Sequence, residues 1–520
     1  MHDLFRRLGS SYQIRIMKAL AGHGRAGRQH SRHHHPFMAK KPATQHDASC
    51  IMISYAVPSH SEIIMSTTRS SLADKDMRHQ LHPYTNARAH EEQGPLVIER
   101  GDGVFVIDEH GNRYLEAMAG LWSTALGFSN KRLVAAAEKQ MSTLPFYHLF
   151  GHKAHAPSIE LAERLINMAP VPMSKVFFTN SGSEANDTVI KLLWYLNNSL
   201  GKPGRKKLIS RIGGYHGITL ASASLTGLPA NQRGFDVPLP GFLHVGCPHH
   251  YRHALPNESE EQFADRLALE LDTLILREGP ETIAAFVGEP LMGAGGVIVP
   301  PRTYWEKIQN VCRKHDILIV ADEVICGFGR TGNMFGSQTF SIKPDIMILS
   351  KQLSSSYLPI SAILLNDRVY QGIADQTKSF GALGHGFTGG GHPVAAAVAL
   401  ENLKIIDEEN LVDHAASMGE LLRRELQRFS DHPLVGEIRG AGLIAAVELV
   451  ADRTTKAPLD VPGTLGRHLA GRALAHGMIT RNMGDAIAFC PPLIINADEV
   501  RSIVERFGSA LDDTSKWVNG

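Results

Sequence analysis

Two apolar runs, each closing on a side chain that can do chemistry, constrain this chain most. Asp316-Ile317-Leu318-Ile319-Val320-Ala321 has the unbroken, β-branched character of a strand buried on both faces, and it delivers the carboxylates Asp322 and Glu323. Asp345-Ile346-Met347-Ile348-Leu349-Ser350 is a second short run; it closes on Lys351, and the small polar stretch Ser354-Ser355-Ser356 follows. Strands of this kind alternate with helical stretches through the middle of the chain, as in a parallel-sheet α/β domain. An acid and a lysine then stand at neighbouring strand ends. On its own, a lysine after a strand is ordinarily a solvated loop residue.

A phosphate cradle and a flat ring add weight. Lys175-Val176-Phe177-Phe178 reads as a strand that meets small residues, among them Ser181, Gly182 and Ser183, before the helical Thr188-Val189-Ile190-Lys191-Leu192-Leu193-Trp194. A helix start offers free N–H groups and a positive dipole end to an anion. Gly182 permits close backbone approach and Ser183 adds a hydroxyl donor. An ordinary strand-turn-helix junction capped by serine would look the same. Leu208-Ile209-Ser210-Arg211 is another buried run and ends in Gly213-Gly214-Tyr215-His216-Gly217. Tyr215, framed by glycines, could lie flat against a planar heterocycle, or could be a core aromatic with a hydroxyl partner. A lysine to hold a cofactor as a Schiff base, and a buried aspartate to keep its pyridine nitrogen protonated, are what pyridoxal phosphate chemistry needs.

In order along the chain, the segments FFTNSGSEAND, GGYHG, GEPLMGAGGVIVPP, ILIVADEVICGFGRTG, ILSKQLSSSY and GHGFTGGGHPVAAAVALENL resemble the class III pyridoxal phosphate aminotransferases. The resemblance runs from about Pro95 to the C-terminus. LWSTALGF, LPFYHLF, ETIAAFVGEPLMGAGG and GDAIAFCPPLII are most similar to ω-amine:pyruvate transaminases, including plant-type 4-aminobutyrate:pyruvate enzymes. It implies fold type I, with a large mixed-sheet α/β/α domain and a smaller α+β domain built from both chain ends. The boundaries it suggests are 65–130 and 404–520 for the small domain and 131–403 for the large one. It implies that Lys351 anchors pyridoxal 5'-phosphate and that Asp322 pairs with the ring nitrogen. Tyr215, with His216 beside it, would cover one ring face, and Val324 the other. Ser181, Gly182 and Ser183 would hold the phosphate, and Thr388 would reach the phosphate of the neighbouring subunit. A homodimer with shared active sites follows, with a tetramer left open. Trp122, Phe150 and Ala294 would line the substrate pocket.

One departure bears on substrate. Relatives that use glutamate or 2-oxoglutarate carry a glutamate where Ala294 stands and an arginine near Ala488 that pairs with it; both are missing. Arg481, on sequence alone a surface arginine, matches the mobile arginine with which amine:pyruvate enzymes hold a carboxylate. The expected reaction moves an amino group from 4-aminobutyrate, β-alanine, taurine, a diamine or an arylalkylamine to pyruvate. Glyoxylate stays open as acceptor, and a 2-oxoglutarate enzyme is the alternative. Two smaller departures, Gly390, where relatives often have serine, and Gln352 after the lysine, put no catalytic role in doubt.

Composition excludes more than it selects. A 520-residue chain is too long for one compact core, and a net charge of +1 gives no global field for nucleic acid or membrane. No apolar stretch approaches the roughly 18 residues that span a bilayer, so a soluble protein is expected. Cys50, Cys247, Cys312, Cys326 and Cys490 are scattered and odd in number, which suits free thiols in a reducing compartment. Residues 1–64 are Arg- and His-rich, with Asp3 the only acid before Gln45. They read as a disordered or non-native extension before Met65, which gives a cytoplasmic protein, or as a presequence, which gives the mitochondrial matrix.

Two patterns compete. Gly327-Phe328-Gly329-Arg330-Thr331-Gly332 fits G-x-G-x-x-G and would make the chain a dinucleotide-dependent oxidoreductase. Its context is wrong, because Asp322 and Glu323 intervene after the strand and Asn333-Met334-Phe335-Gly336 does not start a helix. Cys247, His249, His250 and His253 suggest zinc, but the second ligand pair is missing, so no metal is expected. Elsewhere Gly101–Asn112 followed by Arg113-Tyr114-Leu115 predicts a hairpin. A last helix is predicted from Asn496 with Glu499 as capping partner and Val500, Ile503, Val504, Phe507 and Leu511 on one face.

Overall fold

The computed structural model describes residues 71–520, which lie in one compact unit, so the readings made for residues 1–64 and Met65 fall outside the described residues. The chain enters through an antiparallel meander of β1 (Ile98–Asp102), β2 (Phe105–Asp108) and β3 (Arg113–Glu116). The expected hairpin is its second half. A further strand precedes it because Gly103, at φ +58°, turns the chain between β1 and β2.

Seven strands then build the central sheet: β4 (Lys175–Thr179), β5 (Lys207–Arg211), β6 (Phe242–Val245), β7 (Ile283–Gly288), β8 (Leu318–Asp322), β9 (Ile346–Leu349) and β10 (Ser361–Leu365). Their order is β4-β10-β9-β8-β7-β5-β6. All pairings are parallel except those of β10, which runs antiparallel between β4 and β9 and makes the sheet mixed. Every residue of β7 to β10 is buried, the pattern of strands covered on both faces. Successive side chains go to opposite layers. Leu208, Ala285 and Val320 pack with the helix Gly182–Ser199, whereas Ile209, Phe286 and Ile319 pack with the helices Glu260–Glu278 and Tyr304–Lys314.

A third sheet, β11 (Val435–Ala441), β12 (Ile444–Leu449), β14 (Arg481–Met483) and β15 (Ala486–Phe489), is antiparallel in the order β11-β12-β15-β14. Between β12 and β14, β13 (Met478–Ile479) joins β3 in parallel, so the two ends of the chain share a sheet. The last helix, Ala497–Asn519, starts as expected with Asn496 and Glu499 in a reciprocal cap. Its predicted face is wholly buried in the cluster that holds Ile487 and Phe489. Burying side chains of that size contributes about 1.5–3 kcal/mol each.

Neither competing pattern gathers its chemistry. Gly329 and Gly332 take φ of +96° and +82°, and a helix does begin at Gly336, contrary to expectation. It is only four residues long, and Arg330 between the glycines is buried on the carbonyls of Leu443 and Pro491. His249 meets Glu437 at 2.8 Å and not Cys247. The four described cysteines are free and buried, and no described helix is long and apolar enough to cross a membrane.

Candidate active site

Asp322 ends β8 and Lys351 follows β9 by two residues, so parallel neighbours carry both to the carboxyl edge of the sheet, where open α/β sheets bind ligands. Lys351 sits at φ +45° and opens a short 3-10 turn to Ser354. A non-glycine residue there costs of order 1–3 kcal/mol and persists only when its surroundings impose it. Gln352 is part of what imposes it. Its amide donates to the carbonyls of Ile325 and Gly327 at 3.1 and 3.0 Å, while Asn402 donates to the Gln352 and Leu353 carbonyls at 2.8 and 3.1 Å. Burial lowers the Lys351 pKa from the ordinary lysine value, against the opposing pull of the Asp322 and Glu289 carboxylates.

The two acids after β8 part company, as successive side chains must. Glu323 turns away to accept from the Gly336 and Ser337 amides at 2.8 and 2.6 Å, and burial raises it to about 7. Asp322 is buried and accepts from His216 Nδ1 at 2.8 Å, Asn186 Nδ2 at 3.0 Å and the Val324 amide at 3.2 Å. His216 Nε2 and Asn186 Oδ1 are buried without a partner among the described residues, so this wall is polar beyond what those residues satisfy.

Ser181 caps the helix Gly182–Ser199, which begins six residues before its obvious apolar stretch. Gly182 faces Val324: a Cβ there would lie 3.3 Å from a Val324 methyl. Ser183 Oγ accepts from the Ile218 amide at 3.1 Å, and a Cβ on Gly217 would come within 2.6 Å of that oxygen, so glycine is required for the approach. Tyr215 lies in the same loop, half-buried, its amide donating to Glu289 Oε1 at 3.0 Å. Glu289 Oε2 accepts from Gly293 at 2.8 Å, which ties the Tyr215 loop to the loop carrying half-buried Ala294. Burial, and then the hydroxyl of Tyr84, raise the Tyr215 phenol above its ordinary value.

Arg481 on β14 pairs directly with Ala488 on β15, and its guanidinium stands 6.0 Å from the Tyr84 ring centre. Trp122 is buried against the cluster that contains Leu291, Ile325 and Ala488. Phe150 and Thr388 form a second group. Phe150 is 49 % exposed, with its ring against Gly386 and beside His148, and Thr388, two residues past Gly386, is exposed. None of the hydrogen bonds around Asp322 and Tyr215 involves either residue.

Asn186, Glu289 and Tyr84 escaped the sequence reading. Asn186 lies four residues after Gly182, hence on the same helix face, which was a usable signal. Glu289, a charge directly after a fully apolar strand, was another. Tyr84 gave none.

A buried carboxylate in a hydrogen-bond network, a desolvated lysine on the next strand and a helix N-terminus beside an aromatic loop define a fold type I pyridoxal phosphate site on this sheet. The family model described as "Aminotransferase class-III" matches residues 86–511, and the chain belongs to that family. It is 48 % identical over 456 residues to gamma aminobutyrate transaminase 1, mitochondrial, of Solanum lycopersicum, with 88 % of each chain covered. The solved omega transaminase from Pseudomonas jessenii in complex with PMP is 76 % identical, with a TM-score of 0.86 over 86 % of this chain and 99 % of that one. An engineered thermostable omega transaminase for the synthesis of enantiopure bulky amines, with one tryptophan, one phenylalanine and one arginine replaced, is also 76 % identical, with a TM-score of 0.86 over 86 % and 100 %. The protein is an aminotransferase that uses pyridoxal 5'-phosphate.

Proposed function

We propose that this aminotransferase takes the amino group of an ω-amino acid or primary amine and delivers it to pyruvate, giving an aldehyde or ketone and alanine. The observation that carries the reading is Arg481 opposite Ala488, with Ala294 where a carboxylate would be needed to hold a second arginine. A single arginine beside Tyr84, with no fixed ion-pair partner among the described residues, can meet a carboxylate in one half-reaction and leave room for an uncharged group in the other. The intervals between the tryptophan, phenylalanine and arginine replaced in the relative engineered for bulky amines equal those between Trp122, Phe150 and Arg481 here. That supports all three as substrate-side residues.

Pyridoxal phosphate, when bound, supplies an electron-withdrawing ring that stabilises charge on the substrate carbon. The chain supplies the rest. Asp322, oriented by hydrogen bonds from His216 and Asn186, would pair with the ring nitrogen. Lys351 anchors the cofactor. Its Nζ, lowered in pKa by burial, would be the base that takes the proton from the substrate carbon and the acid that delivers it to the cofactor side. The amides of Ser181, Gly182 and Ser183 hold the phosphate at the helix N-terminus. Tyr215 and Val324 hold the ring flat from opposite sides.

The same reading makes the enzyme a homodimer with shared sites, in which Phe150 and Thr388 serve the partner's pocket. Its support is the exposed aromatic run Phe146, Tyr147 and Phe150, at 42, 42 and 49 % exposure, next to the Thr388 loop. It retains the large and small domains at the boundaries expected from sequence, and a reducing compartment suited to buried free thiols. A screen of 4-aminobutyrate, β-alanine, taurine, diamines and arylalkylamines with pyruvate, following alanine, tests it. Turnover with 2-oxoglutarate and formation of glutamate, without alanine from pyruvate, would overturn the acceptor.

A further inference from the structure

The first described stretch, Ser71 to Gln93, is held with little apolar burial. Its two helices, Leu72–His79 and Ala87–Gln93, have eight and seven residues and neither buries a single one. Helices that short are marginal in water without tertiary packing. What joins them is polar. Asp76 on the first helix, His82 in the turn and His90 on the second converge, with His82 Nε2 2.9 Å from Asp76 Oδ1 and His90 Nε2 2.8 Å from Asp76 Oδ2. The two imidazole rings stand 4.3 Å apart, tilted by 41°, and one donor atom from each of the three residues falls within 4.8 Å of the others. Side-chain exposures of 15, 27 and 12 % leave them accessible to an ion and shielded from bulk water.

Two imidazole nitrogens and a carboxylate oxygen are the donors of a borderline divalent ion such as Zn2+. Ligand atoms 2.0–2.2 Å from a tetrahedral ion stand about 3.3 Å from one another. The two His–Asp76 separations, 2.9 and 2.8 Å, need only spread by about half an ångström to reach that spacing. Each imidazole would give its Nε2 lone pair to the metal and keep its proton on Nδ1. A cavity of about 260 Å³ beside the cluster is lined by His79 as well, which leaves the last coordination position to water or to that imidazole. The other histidine–carboxylate cluster lacks this vacancy of charge. Around His249, Glu437 and Glu448 each already hold Arg439 Nη1 at 2.7 Å.

We propose that Asp76, His82 and His90 bind one divalent transition-metal ion, with Zn2+ the probe of choice, as a staple that fixes the 71–93 segment. The chain between the two histidines carries Tyr84, which reaches Arg481 and Tyr215, so the staple would hold that residue over the pocket. The full-length holoenzyme is stripped with a chelator, titrated with Zn2+ by calorimetry and, after dialysis, analysed for bound zinc. It is compared with His82→Gln/His90→Gln and with Asp76→Asn, which keeps the side-chain shape should the double variant fold poorly. The difference between proteins is the readout, because all other histidines are common to them. The wild type should hold one more Zn2+ per chain than the double variant, Asp76→Asn should weaken that site at least about tenfold, and Zn2+ should raise the melting temperature of the wild type more than that of either variant. Equal zinc content and equal thermal response in wild type and both variants would overturn the proposal.

Discussion

Lys351 is constrained twice, by a left-handed backbone and by a desolvated amine, and both constraints come from neighbours that stay when the side chain goes. Lys351→Ala should therefore leave the circular dichroism unchanged while turnover and the visible absorption of bound cofactor disappear. A band retained by that variant would place the cofactor on another lysine. Under the proposed role, Arg481 acts in one half-reaction only. Removing it leaves the carboxylate of pyruvate without a charged hydrogen bond, a loss of about 1.5–3 kcal/mol or ten- to a hundred-fold. Arg481→Ala should raise the apparent constant for pyruvate by that factor and hardly change the half-reaction of a neutral arylalkylamine, each followed spectroscopically on its own. Equal losses in both half-reactions would remove Arg481 from the carboxylate site.

The segment after β3 shows how an element can be held by one titrating group. Ala119, Gly120 and Trp122 take φ of +47°, +65° and +63°, and Glu116 accepts from the Met118 amide at 2.8 Å just before them. Burial raises the Glu116 carboxyl from 4.5 to about 7. The folded state therefore keeps a proton that the unfolded chain has released. Stability from this group is complete below about pH 4.5 and is lost as pH rises through about 7, by about 3 kcal/mol at most. Glu116→Gln should flatten the fall in melting temperature between pH 5 and pH 8 relative to wild type, and parallel curves would dismiss the carboxyl as its cause. Elements of this kind were hidden in the sequence. The strands that carry Asp322 and Lys351 were legible because burial on both faces writes an unbroken apolar run, and the last helix because its cap and its stripe are local. The strand β14, three residues long, exists only through the tight turn to β15, and β13, two residues long, only through β3, far away in sequence. The same holds for Tyr84 and Glu289, whose roles are set by contacts across the fold. Gln352, on sequence only a departure from the family pattern, braces the Lys351 turn through bonds to residues 25 and 27 positions upstream.

On the scale of the whole molecule, one chain presents two separate sets of site residues. Asp322, Val324 and the start of the helix at Gly182 are joined by short contacts, with Lys351 on the neighbouring strand and Tyr215 one residue before His216, whereas Phe150 and Thr388 stand on an exposed aromatic face braced by Gly386, with His385 of the same loop bonded to Thr188 at 2.9 Å. An exposed apolar face of this kind is what a two-fold interface buries, and in the proposed isologous dimer each chain would complete the other's pocket. Complementation distinguishes this arrangement from one in which both sets serve the same subunit. Chains with Lys351→Ala would be paired with chains carrying Phe150→Ala and Thr388→Ala, using two affinity tags to isolate the mixed dimer. If the sets cross the interface, the first chain lends its intact Phe150 and Thr388 to the second chain's intact Lys351, and one of two sites is whole. The mixed dimer should then show about half the wild-type rate. If both sets serve their own subunit, no site is whole, and the mixed dimer should show no more than half the residual rate of the Phe150→Ala/Thr388→Ala parent.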